Sequence, residues 1–438
     1  MRAIRGEILH FTGDPAGGGA DALRHFADGL LIVRDGLVAE AGPADALLAK
    51  LPADIRIADR RGRLIVPGFV DTHIHFAQTD IIASSGGQLL EWLERYTWPA
   101  ERRFADPDHA AAVAGFFCDE LLRNGTTTAA VFPTVHRVSV EALFRAAQRR
   151  SMRVIAGKVL MDRNCPDFLR ETAEDGDTGS RELIARWHGR DRLLYAVTPR
   201  FAATSTPQQM WLAGRLFAEH PGIHLQSHLA ENRAEVAWIR ELYPEARSYL
   251  DVYERFGQLG PRSVFAHCVW LDDADRERMA ATGAAMSFCP TSNLFLGSGL
   301  FDLAQADAAG VRVGIGTDVG AGTSFSMLQT LGEAYKVLQL NGQSLSAERA
   351  FYLATLGGAR SLYLDDRVGS FAPGREADFV VLDPAATPLL ARRSAACETL
   401  ADRLFVLMML GDDRAVAETW VMGEPAWRRP CPEGFVGG

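Results

Sequence analysis

Residues 63–75 read RLIVPGFVDTHIH: an apolar run of strand length that ends on two histidines spaced two apart. Side chains alternate along a strand, so His73 and His75 project from the same face. The run is followed by a helix-like segment, and the pattern recurs. GTTTAAVFP, MRVIAGKVLMD, LLYAVTPRF, GIHLQSHLAE, SVFAHCVW, AAMSFCPTSN and VRVGIGTD begin near residues 125, 152, 193, 222, 263, 284 and 312. Amphipathic stretches lie between them, among them HAAAVAGFFCDELLRN, VEALFRAAQRR, TPQQMWLAGRLFAEH and NRAEVAWIRELY. Strands alternating with helices predict an α/β fold with a parallel sheet. Eight such units over about 250 residues match a closed (β/α)8 TIM-like barrel. Periodicity alone leaves an open doubly wound sheet as the alternative.

The flanks have a different character. ILHFTGD, GLLIVRDGLVAEAG and IRIADRRGRLIVPG precede the barrel, and GSFAPGREADFVVLD and AVAETWVMGEPAW follow it. These read as short strands and turns, too short on either side to fold alone. They are expected to pair into one small β-sandwich domain. The expected division is 1–65 with 366–438 as the composite β domain and 66–365 as the barrel, which suits a chain of 438 residues.

Composition narrows the partners. The formal net charge is −9 and 47% of residues are hydrophobic. An acidic surface disfavours nucleic acid, which needs phosphate neutralisation, and favours a small-molecule substrate. Six cysteines are scattered without a CxxC pair, so neither a disulfide framework nor a zinc-finger pattern is indicated. Cys268 and Cys289 sit in apolar runs as small buried hydrophobes. The start MRAIRGEILHF lacks an apolar h-region, and no stretch approaches 18 uncharged apolar residues. The expectation is a cytoplasmic protein without a membrane partner.

The chemistry lies at the carboxyl ends of the runs, where a barrel collects its catalytic groups. Besides His73 and His75, His228 ends strand 5, His267 ends strand 6 and Asp318 ends strand 8. Burying five ionisable groups at one end costs free energy unless a metal or hydrogen bonds satisfy them. Two imidazoles on one rigid strand form a ready half of a Zn2+ or Fe2+ site. His224 lies four residues nearer the strand start and is read as structural. Taken alone, Glu231 is a helix-start carboxylate, Arg200 and Phe201 are a charge and a core aromatic, and Gln78 is a polar loop residue.

PGFVDTHIH, SHLAE, AHC and GTD together resemble the motif set of the amidohydrolase superfamily over nearly the full chain. In that superfamily a carboxylated lysine at the end of strand 4 supports a second metal. Here strand 4 ends in TPRF with Arg200 in its place, and Lys158 belongs to strand 3. The resemblance is therefore to the mononuclear branch, and it implies His73, His75, His228 and Asp318 as the ligands of one Zn2+ per chain. HIHFAQ, LLEWLERYTWPAE, GKVLMDRNCP, TPRFAATS, SHLAENRAEV and GTDVGAGTSFSML occur in order and resemble the guanine deaminase family.

That second resemblance implies hydrolytic deamination of guanine to xanthine and ammonia by a metal-activated water. It implies catalytic roles for Glu231, His267 and Asp318, and substrate contacts at Gln78, Arg200, Phe201 and His228. A guanidinium and an amide suit the mixed donor and acceptor edge of guanine. LLEWLERYTWPAE is expected to be a packed helix that walls the pocket. A homodimer follows from the resemblance only. The competing readings are a related amidohydrolase acting on a pterin, cytosine, adenosine derivative or triazine, and a non-catalytic barrel used as a scaffold.

Overall fold

In the computed structural model, which describes residues 1–430 apart from 18 and 53, the run RLIVPGFVDTHIH is two strands in two different sheets. The chain first makes β1 (Arg2–Phe11), β2 (Leu23–Arg34), β3 (Leu37–Pro43) and β4 (Ile57–Pro67). After a single intervening residue it enters β5 (Phe69–His75). Pro67 has no N–H to continue a ladder. At Gly68 an added Cβ would stand 2.2 Å from Thr127 Oγ1. Glycine is thus the residue that lets the chain step from one sheet into the other.

The barrel strands follow as β6 (Thr126–Phe132), β7 (Arg153–Ala156) with its short continuation β8 (Val159–Leu160), β9 (Leu193–Pro199), β10 (His224–Leu229), β11 (Ser263–His267), β12 (Ala285–Phe288) and β13 (Arg312–Ile315). Their spatial order is β13-β12-β11-β10-β9-β7-β6-β5, and every pair is parallel. The segment after β13 closes the ring against β5. Asp318 N–H donates to the His73 carbonyl at 2.9 Å, and His75 N–H donates to the Val319 carbonyl at 2.9 Å. Buried Asp71 accepts from the Thr317 hydroxyl at 2.5 Å across the same seam. The eight units expected from the sequence are all present, and the open-sheet alternative falls.

The four amphipathic stretches form helices Pro107–Arg123, Arg137–Arg149, Pro207–Glu219 and Arg233–Leu242. Three of the four start with a capping residue that local chemistry favours. Asp106, Thr206 and Asn232 accept the orphan N–H groups of their first turns.

β14 (Phe379–Leu382), β15 (Val416–Val421) and β16 (Glu424–Arg428) return to the first four strands in a seven-stranded mixed sheet, order β16-β15-β14-β4-β1-β2-β3. Alternation assigns its faces. Leu64, Val66, Val380 and Leu382 join the barrel's apolar core, while Ile65, Phe379 and Val381 pack with Ile4, Ile8 and Trp420 on the other side. Between β14 and β15 the chain forms helices Pro388–Ala395 and Leu400–Leu410, a stretch that the sequence reading leaves unassigned.

A buried charge cluster ties sheet to barrel. Glu376 accepts from Arg153 and Arg192, and Arg192 also donates to Asp378 at 2.6 Å. Among the described residues no helix is long and apolar enough to cross a membrane.

Candidate active site

The carboxyl ends of the barrel strands form one pocket. β5 delivers His73 and His75, β10 delivers His228, β11 delivers His267, and the seam after β13 delivers Asp318. Several of these ends are held in left-handed backbone that side chains rarely adopt: Ala230 at φ 50°, His267 at 71°, Cys268 at 52° and Asp318 at 51°. Such conformations cost about 1–3 kcal/mol each and persist where the surrounding structure enforces them. Here they turn the chain sharply at the points where its side chains must face inward.

The four residues expected to bind a metal converge. His75 Nε2 lies 3.2 Å from His73 Nε2 and 3.1 Å from His228 Nε2. Asp318 Oδ1 lies 3.1 Å from His73 Nε2 and 3.3 Å from His75 Nε2. Three ring nitrogens aimed at one another cannot all be donors. His228 fixes its own tautomer by giving Nδ1–H to the Arg200 carbonyl at 2.7 Å, which leaves the Nε2 lone pair facing the cluster. A cation bonded at about 2.0–2.1 Å to four tetrahedral donors spaces them about 3.3–3.4 Å apart. The observed spacings match, so the donor set fits a divalent ion.

The electrostatics agree. Burial drives His75 down to about 3, and burial together with His73 and His75 drives His228 well below its ordinary value. Both rings are therefore neutral and able to ligate. Burial alone would raise the Asp318 carboxyl, but the neighbouring His73 and His75 hold it well below the usual range, and it stays anionic.

Glu231 and His267 stand beside the cluster. His267 Nε2 lies 3.3 Å from Glu231 Oε2 and 3.7 Å from Asp318 Oδ2. Its Nδ1 donates to Asn293 Oδ1 at 2.9 Å, which orients the ring. Burial, reinforced by the Asp318 charge, pushes Glu231 up to about 8 against the hydrogen bond it accepts from Ser298. Cys289 is also close to His267 and Asp318. Burial raises its thiol well above the ordinary range, and Sγ donates to the Ser287 carbonyl.

Gln78, Arg200 and Phe201 line the same pocket as His75, His228, Glu231, His267 and Asp318. His73 lies directly behind, edge-on to His75. Every site residue expected from the sequence is thus brought to one place. Leu89, Trp92 and Leu93 form part of the apolar wall, as expected for LLEWLERYTWPAE. His224 sits at the far end of β10, bonded to the Leu362 carbonyl at 2.8 Å. Lys158 pairs with Glu171 away from the pocket.

The amidohydrolase family model matches residues 64–426, most of the chain. Guanine deaminase of Escherichia coli is 54% identical over 98% of both chains. The solved E. coli enzyme superposes with a TM-score of 0.96 at 53% identity, covering 98% of this chain and 100% of that one. This chain belongs to the amidohydrolase family, among the guanine deaminases.

A guanine deaminase from C. acetobutylicum, solved with guanine in its active site, has a TM-score of 0.88 at 28% identity, over 97% of this chain and 99% of that one. At 20% identity, triazine hydrolases share the fold alone, with a TM-score of 0.83.

Two carboxylates at the site escaped the sequence reading. Glu101 is fully buried, and both its oxygens accept from Arg200 Nη1, at 2.8 and 2.9 Å. Leu93, Thr97 and Glu101 are spaced four apart and all are buried, but nothing in the sequence marks that stripe as buried. A carboxylate on such a stripe needs a cation. Glu235 completes a capping box with Asn232 and also lines the pocket. The N-x-x-E pattern in NRAE is its signature.

Proposed function

We propose that this chain hydrolyses guanine to xanthine and ammonia, with His73, His75, His228 and Asp318 holding one Zn2+. The observation that carries the reading is that Arg200 and Gln78 share one wall of the pocket into which the ligand cluster and Glu231 open. A guanidinium and an amide present donors and an acceptor suited to a purine edge bearing a carbonyl. Arg200 donates to the carbonyl oxygen, Gln78 meets the adjoining edge, Phe201 packs by the ring, and His228 borders it. The family likeness to proteins named for this reaction supports the same substrate.

Bound there, the metal lowers the pKa of water toward neutrality and so supplies a strong nucleophile. Asp318 accepts a proton from the attacking water, and His267 orients that water by hydrogen bonding. The new C–O bond forms at the ring carbon that carries the amine. Glu231 gives its proton to the adjacent ring nitrogen, takes the proton of the new hydroxyl as that group becomes the carbonyl, and passes it to the amine as the C–N bond breaks; the proton held by Asp318 then returns to Glu231. The products hold all the atoms of guanine and one water. Its raised pKa equips Glu231 to hold and release a proton near neutral pH.

Three imidazoles with one carboxylate also accept Fe2+; metal analysis of the purified protein decides between them. Further parts of this reading are a homodimer in the cytoplasm and a division into 1–65 with 366–438 and 66–365. The five cysteines within the described residues are all unpaired, which suits a reducing compartment. The test is an assay against guanine, adenine, cytosine, guanosine and aminopterins with ammonia measured in parallel. Selective formation of xanthine, lost in Glu231→Gln, supports the reading; deamination of a different base overturns the roles of Gln78 and Arg200. A site that hydrolyses none of them returns the scaffold reading.

A further inference from the structure

Glu101 touches Arg200, one of the two groups read above as facing the purine edge, yet it does not reach the pocket. Its two oxygens accept from Arg200 Nη1. Gln78 is held separately, its Oε1 accepting from Gly320 N–H at 3.3 Å. Gln78 and Arg200 line the pocket; Glu101 stands behind them. Among the described residues Arg200 has no other side-chain acceptor, so its Nε and Nη2 donors are left for the pocket that it lines.

The helix that carries Glu101 explains the placement. Leu89–Trp92 and Trp98–Arg102 are α-helical, but Leu93–Thr97 between them is a wide π turn. A π turn shifts the helical phase and is frequent at functional sites. Leu89, Trp92 and Leu93 thereby face the pocket, while Glu101 faces the back of Arg200.

We infer that Glu101 is a positioning residue that sets substrate specificity, holding Arg200 in the pose that reads the carbonyl-bearing edge of the base. The inference rests on the substrate contacts proposed above. A carboxylate that merely neutralised a buried arginine would stabilise the fold without favouring one base over another. A carboxylate that orients the recognition arginine ties discrimination to its own position. Sites built to hydrogen-bond a substrate group reject analogues lacking it, because their own buried donors are left unpaired.

The experiment compares guanine with 2-aminopurine, the same ring without the carbonyl, in the metal-loaded enzyme. Guanine is followed by turnover and 2-aminopurine as a competing ligand. In Glu101→Gln, kcat/KM for guanine is expected to fall about 100-fold, the scale of a misplaced contact. The inhibition constant for 2-aminopurine should change less than about threefold, because Arg200 has no carbonyl to meet there. Melting temperature and metal content report folding. If Glu101→Gln does not fold, Glu101→Asp carries the test, since it keeps the charge and withdraws it by one methylene.

Equal losses for both ligands, or unchanged guanine turnover in a folded variant, overturn the inference. Arg200→Met, run in parallel, separates two failures. A loss of discrimination in Arg200→Met without one in the Glu101 variants overturns the positioning role alone. No loss of discrimination in any of them overturns the substrate contacts as well.

Discussion

The backbone N–H of Asp318 donates to the carbonyl of His73 at 2.9 Å, so the last residue of the ligand set is fastened by main chain to the first. The seam that closes the barrel is therefore the same element that assembles the metal site. Closure and ligation are two consequences of one set of hydrogen bonds.

Metal removal should accordingly be felt by fold and activity together. Ligand binding to the native state alone stabilises it by about 2.7 kcal/mol at a hundred times Kd. Treatment with a chelator is expected to abolish turnover and lower the melting temperature, and added Zn2+ to restore both. Asp318→Asn should keep the fold and bind metal weakly, as read by metal analysis after gel filtration. An unchanged melting curve in chelator would sink the coupling.

Gly316 should be as sensitive as a ligand, although it bears no side chain. An added Cβ would lie 2.6 Å from Ser287 Oγ, 2.9 Å from His73 Cβ and 3.0 Å from the His73 carbonyl oxygen. Relief requires moving His73, and ligating groups tolerate little displacement. Gly316→Ala is expected to lower metal content and activity at least about tenfold while leaving most of the helical signal intact. Full zinc occupancy in the folded variant would refute this.

The metal site was legible because its members end apolar runs: the two-residue spacing of His73 and His75, and the positions of His228, His267 and Asp318, carry their geometry within a few residues each. Glu101 was not, because its meaning depends on Arg200, 99 positions away, and on a π turn that no spacing rule marks. The break at Pro67 and Gly68 was hidden for a similar reason. RLIVPGFVDTHIH reads as one strand until Thr127 is seen packed against Gly68. Glu376 and Asp378 lie in PGREADF, which reads only as part of a flanking segment of strands and turns, and the arrival of Arg153 and Arg192 makes them core.

That charge cluster should be a strong point of stability. Arg153, Arg192 and Glu376 have side chains no more than 9% exposed, and Asp378 2%. Removing one partner of a buried pair costs about 3–5 kcal/mol, because it strands the remaining charges. Glu376→Ala is expected to lower the denaturation midpoint correspondingly, with KM for guanine unchanged in the folded fraction. A loss below about 1 kcal/mol, the range of an exposed pair, would contradict the burial argument.

Two histidines outside the metal site should make the fold acid-labile. Burial pushes His10 and His224 down to about 4 from an ordinary 6.5. The unfolded chain then binds the proton more readily, so their contribution is complete above pH 6.5 and is lost as the pH falls toward 4. At about 1.4 kcal/mol per pH unit, each contributes up to about 3 kcal/mol. Between pH 6.5 and 4, the wild type should lose more stability than a His10→Gln, His224→Gln double variant, measured by chemical denaturation at each pH. Parallel curves would remove these two rings as the cause.

Glu235 should support catalysis without touching the reacting atoms, by holding the backbone under Glu231. Its Oε2 accepts from the N–H groups of Glu231 at 2.9 Å and Asn232 at 3.2 Å, and its Oε1 accepts from the Tyr249 hydroxyl at 2.8 Å. Burial, with the Glu231 charge adding to it, pushes Glu235 up to about 7. A neutral side chain of the same shape should therefore serve nearly as well. Glu235→Gln is expected to keep kcat within about threefold, whereas Glu235→Ala leaves two buried N–H groups unpaired and frees the segment that carries Glu231. For Glu235→Ala, kcat should fall about 100-fold with KM nearly constant, because the loss concerns the proton carrier and not the purine contacts. Steady-state kinetics at matched metal content decide the matter: a rise in KM at constant kcat would place Glu235 in substrate binding and remove it from the support of Glu231.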